Sequence, residues 1–184
     1  MTAVFRTRHL LLSLIAAGAL AAPLLLRAYR RHREHRFDSL IEAAAVRHGV
    51  DAKLVSAVIW RESGYRPDRV GRAGEIGLMQ VCEPAAREWA RAAAARDFQQ
   101  DHLYDPGTNI LAGTWYLGRA LRRWGARDEP ESFALAEYNA GLTHARRWAA
   151  LAADGTSSNF QEAVTFPTTR AYIRAILNRY QRTP

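Results

Sequence analysis

Through most of this chain apolar residues return every third or fourth position, and each run is stopped by glycine or proline. Such spacing favours short packed helices and leaves little room for a sheet. Asp38 or Ser39 can cap a helix carrying Leu40, Ile41, Ala44 and Ala45, which Gly49 ends. Asp51 caps the next, with Leu54, Val55, Val58 and Ile59 on one stripe and Ser63-Gly64 as its stop. Pro84 suits the first turn of a third helix running through Trp89 toward Arg96. Asp105-Pro106 opens a fourth, through Ile110, Leu117 and Leu121 to Gly125. Residues 132–139 predict a fifth that ends at Ala140-Gly141, and helical spacing continues near residues 144–151 and 168–180. Only residues 164–166 alternate with a period of two, and residues 153–159, rich in Gly and Ser, read as an exposed loop. The expected fold class is all-α, with one domain over residues 37–184.

Residues 10–26 carry no charge and are nearly all Leu, Ala or Ile. Arg6, Arg8 and His9 precede them like the basic start of a secretory signal, and Ala19-Leu20-Ala21 offers a small-x-small cleavage site. The run is also at the short end of the roughly 17–25 residues that span a bilayer, so an uncleaved anchor in the inner membrane competes with the signal. Arg27, Arg30, Arg31, Arg33 and Arg36 oppose export under the positive-inside rule. Residues 1–36 are thus expected to be a signal peptide or membrane anchor plus a basic linker. Either places the domain in a bacterial periplasm, secreted or tethered.

That segment also holds most of the charge. The whole chain is +8, yet residues 37–184 hold 19 basic against 17 acidic residues. A nearly neutral domain without a concentrated basic face excludes nucleic acid as an expected partner. A lone Cys82, expected to be a small buried hydrophobe, excludes a disulfide framework and a multi-thiolate metal site. His48, His102 and His144 are scattered, so neither a metal nor a cofactor is expected.

Glu62 breaks the pattern. It lies three residues after Ile59 and four after Val58, so its carboxylate projects from an apolar stripe. Burial there favours the neutral acid, which suits a proton donor working near neutral pH. A helix-end Glu paired with Arg61 or Arg66 fits the same spacing. Gly71, Gly74 and Gly77 follow around Glu75 and lead into Gly77-Leu78-Met79-Gln80, as the wall of a ligand groove requires.

Glu62-Ser63, Gly77-Leu78-Met79-Gln80 and Ala136-Glu137-Tyr138-Asn139-Ala140-Gly141, in that order, resemble the three motifs of the soluble-type lytic transglycosylases. The resemblance extends from Phe37 to Tyr180 and takes in Gly49-Val50-Asp51, Asp105-Pro106 with Asn109, and Thr169-Arg170-Ala171-Tyr172. It implies a lysozyme-like helical domain with a substrate groove that cleaves peptidoglycan glycan strands. By position, Glu62 matches the single catalytic acid/base. By the same resemblance Met79, Gln80, Tyr138, Asn139 and Tyr172 are the implied substrate-binding residues, Tyr172 matching a tyrosine that in several relatives points at the catalytic Glu; Ser63 and Glu75 are candidates beside them. Many relatives have Ser where this chain has Gly71, and often Ala where it has Glu75. Glu75 is either a loop-bracing charge or a second carboxylate on the substrate side. Tyr138 and Asn139 would, outside this motif, read as core packing and a helix cap.

The resemblance also implies a mechanism. Glu62 would protonate the oxygen leaving N-acetylmuramic acid (MurNAc), then reclaim a proton from the muramic 6-hydroxyl, giving a 1,6-anhydro end without water. Two other readings stay open. One is a hydrolase similar to goose-type lysozyme, with Glu75 as the second carboxylate. The other is a non-catalytic wall-binding or assembly module of a secretion or envelope apparatus.

Overall fold

The computed structural model describes residues 21–152 and 155–182, and its contacts divide the chain after Phe37. In the first unit, residues 21–35 form helix α1, with Leu24, Leu25 and Leu26 exposed. Residues 10–20 of the apolar run, and Ala19-Leu20 of the expected cleavage site, lie outside the described residues. Among the described residues no helix is long and apolar enough to cross a membrane.

The second unit is all helical, with no strand among the described residues. Helices α2 (Asp38–His48) and α3 (Ala52–Glu62) are followed by a long non-helical loop and then by α4 (Glu83–Ala92). A 3₁₀ turn (Gln100–Tyr104) leads to α5 (Pro106–Trp124), α6 (Pro130–Ala140), α7 (Leu142–Leu151), α8 (Ser157–Ala163) and α9 (Pro167–Arg182). The starts of α3 and α5 follow directly from their caps. Asp51 accepts from Lys53 N at 2.8 Å and Asp105 from Thr108 N at 2.8 Å, each satisfying an amide that the first turn leaves unpaired.

Helix α5 is the spine, packing on α2, α4 and α6, while α6 in turn packs on α7, α8 and α9. Leu54, Ile59, Ile110, Leu117, Phe133, Leu135, Trp148 and Ile173 are fully buried between them. Helix α9 returns to lie on α3, bringing the late part of the chain beside the residue that ends α3.

Two expectations from local pattern are corrected. Helix α4 stops at Ala92 and does not reach Arg96, because Ala94 turns left-handed (φ 53°) and Trp89 meets Phe98 edge-on at 5.7 Å. The Gly/Ser-rich loop also ends earlier than its composition implies. Ser157 begins α8 and is buried, with its hydroxyl 2.6 Å from Glu129, because Phe160 must stack on Phe133 with ring centres 3.9 Å apart. Residues 164–166 form no strand, and Thr165 accepts from the Trp148 indole at 2.9 Å.

Candidate active site

The last residue of α3 is Glu62. Its helix places it there because Leu54, Val55, Val58 and Ile59 are buried on the same side. Beyond it Gly64 and Tyr65 both take positive φ, 60° and 62°, so the chain reverses and leaves the carboxyl over a cleft. Ser63 completes that reversal. Its hydroxyl donates to Ile59 O at 3.2 Å and accepts from Arg66 N at 3.3 Å. Glu62 itself is half-buried and receives the Tyr172 hydroxyl on Oε1 at 2.6 Å. Burial pushes its carboxyl up from 4.5 to about 7, with Glu75 adding to the rise. The Tyr172 hydrogen bond and the charges of Arg61 and Arg69 hold it back. Both proton states are therefore populated near neutral pH, as an acid/base requires. Burial beside this carboxyl keeps the Tyr172 and Tyr138 hydroxyls well above the usual phenol range, so both stay protonated.

The wall facing it is the loop between α3 and α4. It is folded by isolated bridges, Val70 with Ile76 and Ile76 with Val81. Gly77 (φ 82°) is required there, since a Cβ would lie 2.2 Å from Asn109 Nδ2 and 2.7 Å from Leu103 O. Asn109 is the brace. Its Nδ2 donates to Ile76 O and Leu103 O, and its Oδ1 accepts from Met79 N, all at 2.8 Å. Gln80 follows in the left-handed region (φ 47°), and its Nε2 donates to Arg69 O and Gly77 O, both at 3.0 Å.

Glu62, Glu75, Gln80, Tyr138, Asn139 and Tyr172 line one cleft of about 570 Å³. Residues separated by as many as 110 positions are thus gathered around a single carboxyl. Tyr138 donates to Met79 O at 2.8 Å, so its proton is engaged and only its lone pairs face outward. Asn139 Oδ1 accepts from Thr169 at 2.8 Å, leaving its amide hydrogens as the donors it presents. The structure places Ser63 and Met79 elsewhere. Ser63 is buried in the turn, and the Met79 side chain is fully buried against Gly113 and Thr114, so Met79 serves the cleft through its backbone alone.

Among the lining residues, Arg69, Arg72 and Tyr116 carry no sequence signal, Arg61 is legible only as an ion-pair partner for Glu62, and Glu137 enters only as part of the third motif. Glu137 breaks an apolar stripe just as Glu62 does, which was the available signal. Cys82 is exposed on the cleft wall, not buried as expected, because the chain is extended there (φ −81°, ψ 154°) ahead of α4. Among the described residues no three His, Cys, Asp or Glu side chains come together as metal ligands.

Comparison with known proteins follows the same geometry. The Transglycosylase SLT domain family matches residues 39–161. The chain is 39% identical over 114 residues to the membrane-bound lytic murein transglycosylase F of Desulfosudis oleivorans, covering 60% of this chain and 23% of that protein. It is 36% identical over 87 residues to membrane-bound lytic murein transglycosylase C of Photorhabdus laumondii, covering 46% of this chain and 24% of that one. Among solved structures, the 70 kDa soluble lytic transglycosylase of Escherichia coli superposes with a TM-score of 0.71 at 27% identity, over 81% of this chain and 25% of that chain. The chain thus spans about a quarter of the length of the relatives it matches.

Proposed function

Since the chain belongs to the Transglycosylase SLT domain family, we propose that it is a peptidoglycan lytic transglycosylase in which Glu62 acts first as acid and then as base. Glu62 gives its proton to the glycosidic oxygen between MurNAc and N-acetylglucosamine, and the bond from that oxygen to the MurNAc anomeric carbon breaks. The ring carries oxocarbenium character, eased by its acetamido group. The muramic 6-hydroxyl then attacks the anomeric carbon, and its proton passes to the Glu62 carboxylate. Atoms balance without water, leaving a 1,6-anhydroMurNAc end and a restored acid.

One observation carries this reading: a half-buried carboxyl poised at about 7, oriented by a neutral tyrosine and opening on a cleft. Only one group must give and take the proton, so its two forms must be close in energy. Tyr172 orients it. Gln80 and Asn139 offer an amide acceptor and amide donors to sugar hydroxyls and acetamido groups, and Tyr138 holds the Met79 backbone in register.

The working place is the periplasm, with residues 10–26 as export signal or inner-membrane tether. The relatives named membrane-bound support this. A secretion or envelope-assembly complex is the partner class proposed for a domain of this kind.

The experiment is digestion of purified sacculi followed by mass measurement of the released muropeptides. Ends lighter than reducing MurNAc by one water are expected. Reducing ends in their place would turn the assignment to a hydrolase, with Glu75 as the second carboxylate. Glu62→Gln is expected to fold and to lose ~10²–10⁴-fold in turnover.

A further inference from the structure

Gly71 and Glu75, the two departures from the pattern of relatives, meet on the cleft wall. A Cβ built on Gly71 would lie 2.2 Å from Glu75 Oε2 and 2.9 Å from Gln80 Oε1. The backbone there is not left-handed, so the position needs glycine for space and not for conformation. The carboxylate occupying that space accepts from Ala73 N on Oε2 at 3.0 Å, and the Gly71 N–H holds the Glu75 backbone carbonyl at 2.7 Å. No ion pair among the described residues joins it to Arg61, Arg69 or Arg72, although all three line the same cleft.

Gln80 completes the arrangement. Its NH₂ group is engaged by Arg69 O and Gly77 O, so its Oε1 faces the bare Cα of Gly71 beside the Glu75 carboxylate. Two acceptors side by side over a glycine call for a ligand with adjacent donors. An N-acetylhexosamine ring presents such donors, a hydroxyl next to an acetamido N–H.

We propose that Gly71 and Glu75 form one unit, in which the missing side chain at 71 seats the Glu75 carboxylate next to Gln80 Oε1 as a paired-acceptor subsite for the donor groups of an amino sugar. The proposal rests on the glycan reading of the cleft. Glu75 is thereby a substrate-binding residue that also biases Glu62 through its charge. The charged and titratable groups around Glu62 are Arg61 from its own helix, Arg69 and Glu75 from the loop, Tyr172 from α9 and Tyr138 from α6. Removing the charge of Glu75 leaves burial alone to oppose the two arginines and Tyr172, which lowers the Glu62 pKa.

The test is calorimetric binding of MurNAc–GlcNAc tetrasaccharide to the Glu62→Gln protein, which reads affinity without turnover. Adding Glu75→Gln is expected to weaken binding by about tenfold, the scale of a charge-assisted hydrogen bond. Gly71→Ser should do the same by expelling the carboxylate, and its effect should be clearly smaller when Glu75→Ala is already present, since only the contact with Gln80 Oε1 then remains. In the protein with Glu62 intact, Glu75→Gln should move the alkaline limb of kcat/KM to lower pH. Unchanged affinity in Glu75→Gln overturns the proposal. So does a Gly71→Ser loss that is equal with and without Glu75. Failure of the lyase reading appears separately, as an active parent that releases no anhydro ends while the binding pattern stands.

Discussion

Glu62 at the end of α3 and Glu137 within α6 each interrupt an apolar stripe, but their surroundings differ in kind. Glu137 is 1% exposed, and both its oxygens are taken, one by the Arg123 guanidinium and the other by the Trp124 indole N–H at 2.8 Å. Glu62 is half-buried, is met by a neutral hydroxyl, and opens on the cleft. A buried carboxylate clamped by a cation holds helices together. One met by a phenol keeps its proton negotiable.

Substitutions at the two sites should separate them. Glu137→Ala leaves the buried Trp124 indole N–H without its partner and frees the part-exposed Arg123 guanidinium, and is expected to cost about 1–3 kcal/mol in urea unfolding. An equal loss from Glu62→Ala would erase the distinction. At Glu62 the effect should have the opposite sign and depend on pH. Its folded pKa is raised from 4.5 to about 7. The neutral acid therefore contributes stability that is complete below 4.5 and is lost as pH rises through about 7. Gln cannot ionise, so Glu62→Gln should exceed the parent above neutral pH by at most about 3 kcal/mol, reduced by cleft water, and match it in acid. Denaturation curves at several pH values measure this, and a difference that stays flat with pH would break the comparison.

Smaller changes sharpen it. Tyr172→Phe removes the hydrogen bond that lowers the Glu62 pKa, so the alkaline limb of the rate profile should move up. Its kcat should fall about tenfold, the scale of one hydrogen bond to a charged group. Tyr138→Phe breaks only the bond to Met79 O and should cost about 1 kcal/mol in unfolding, with the pH profile in place.

The helices were legible because their signals are local. Asp51 and Asp105 cap, and an apolar stripe follows each. The end of α4 and the start of α8 were not, since both are decided by rings arriving from elsewhere, Phe98 on Trp89 and Phe133 on Phe160. At the site, motif order identified the lining residues Glu62, Gln80, Tyr138 and Tyr172. It could not assign sides within the loop. Met79 turns inward and Gln80 outward because Asn109, 30 residues away, holds the Met79 amide, and no spacing rule carries that information. Periodicity could not separate Glu62 from Glu137 either, since it registers a carboxylate in an apolar stripe and not the charge of its partner.

The bond from Tyr138 to the Met79 carbonyl has a mechanical meaning. It fastens the glycine-rich wall to the helical one from beneath, like a crossbar. The distance between the two walls is then set by the fold itself.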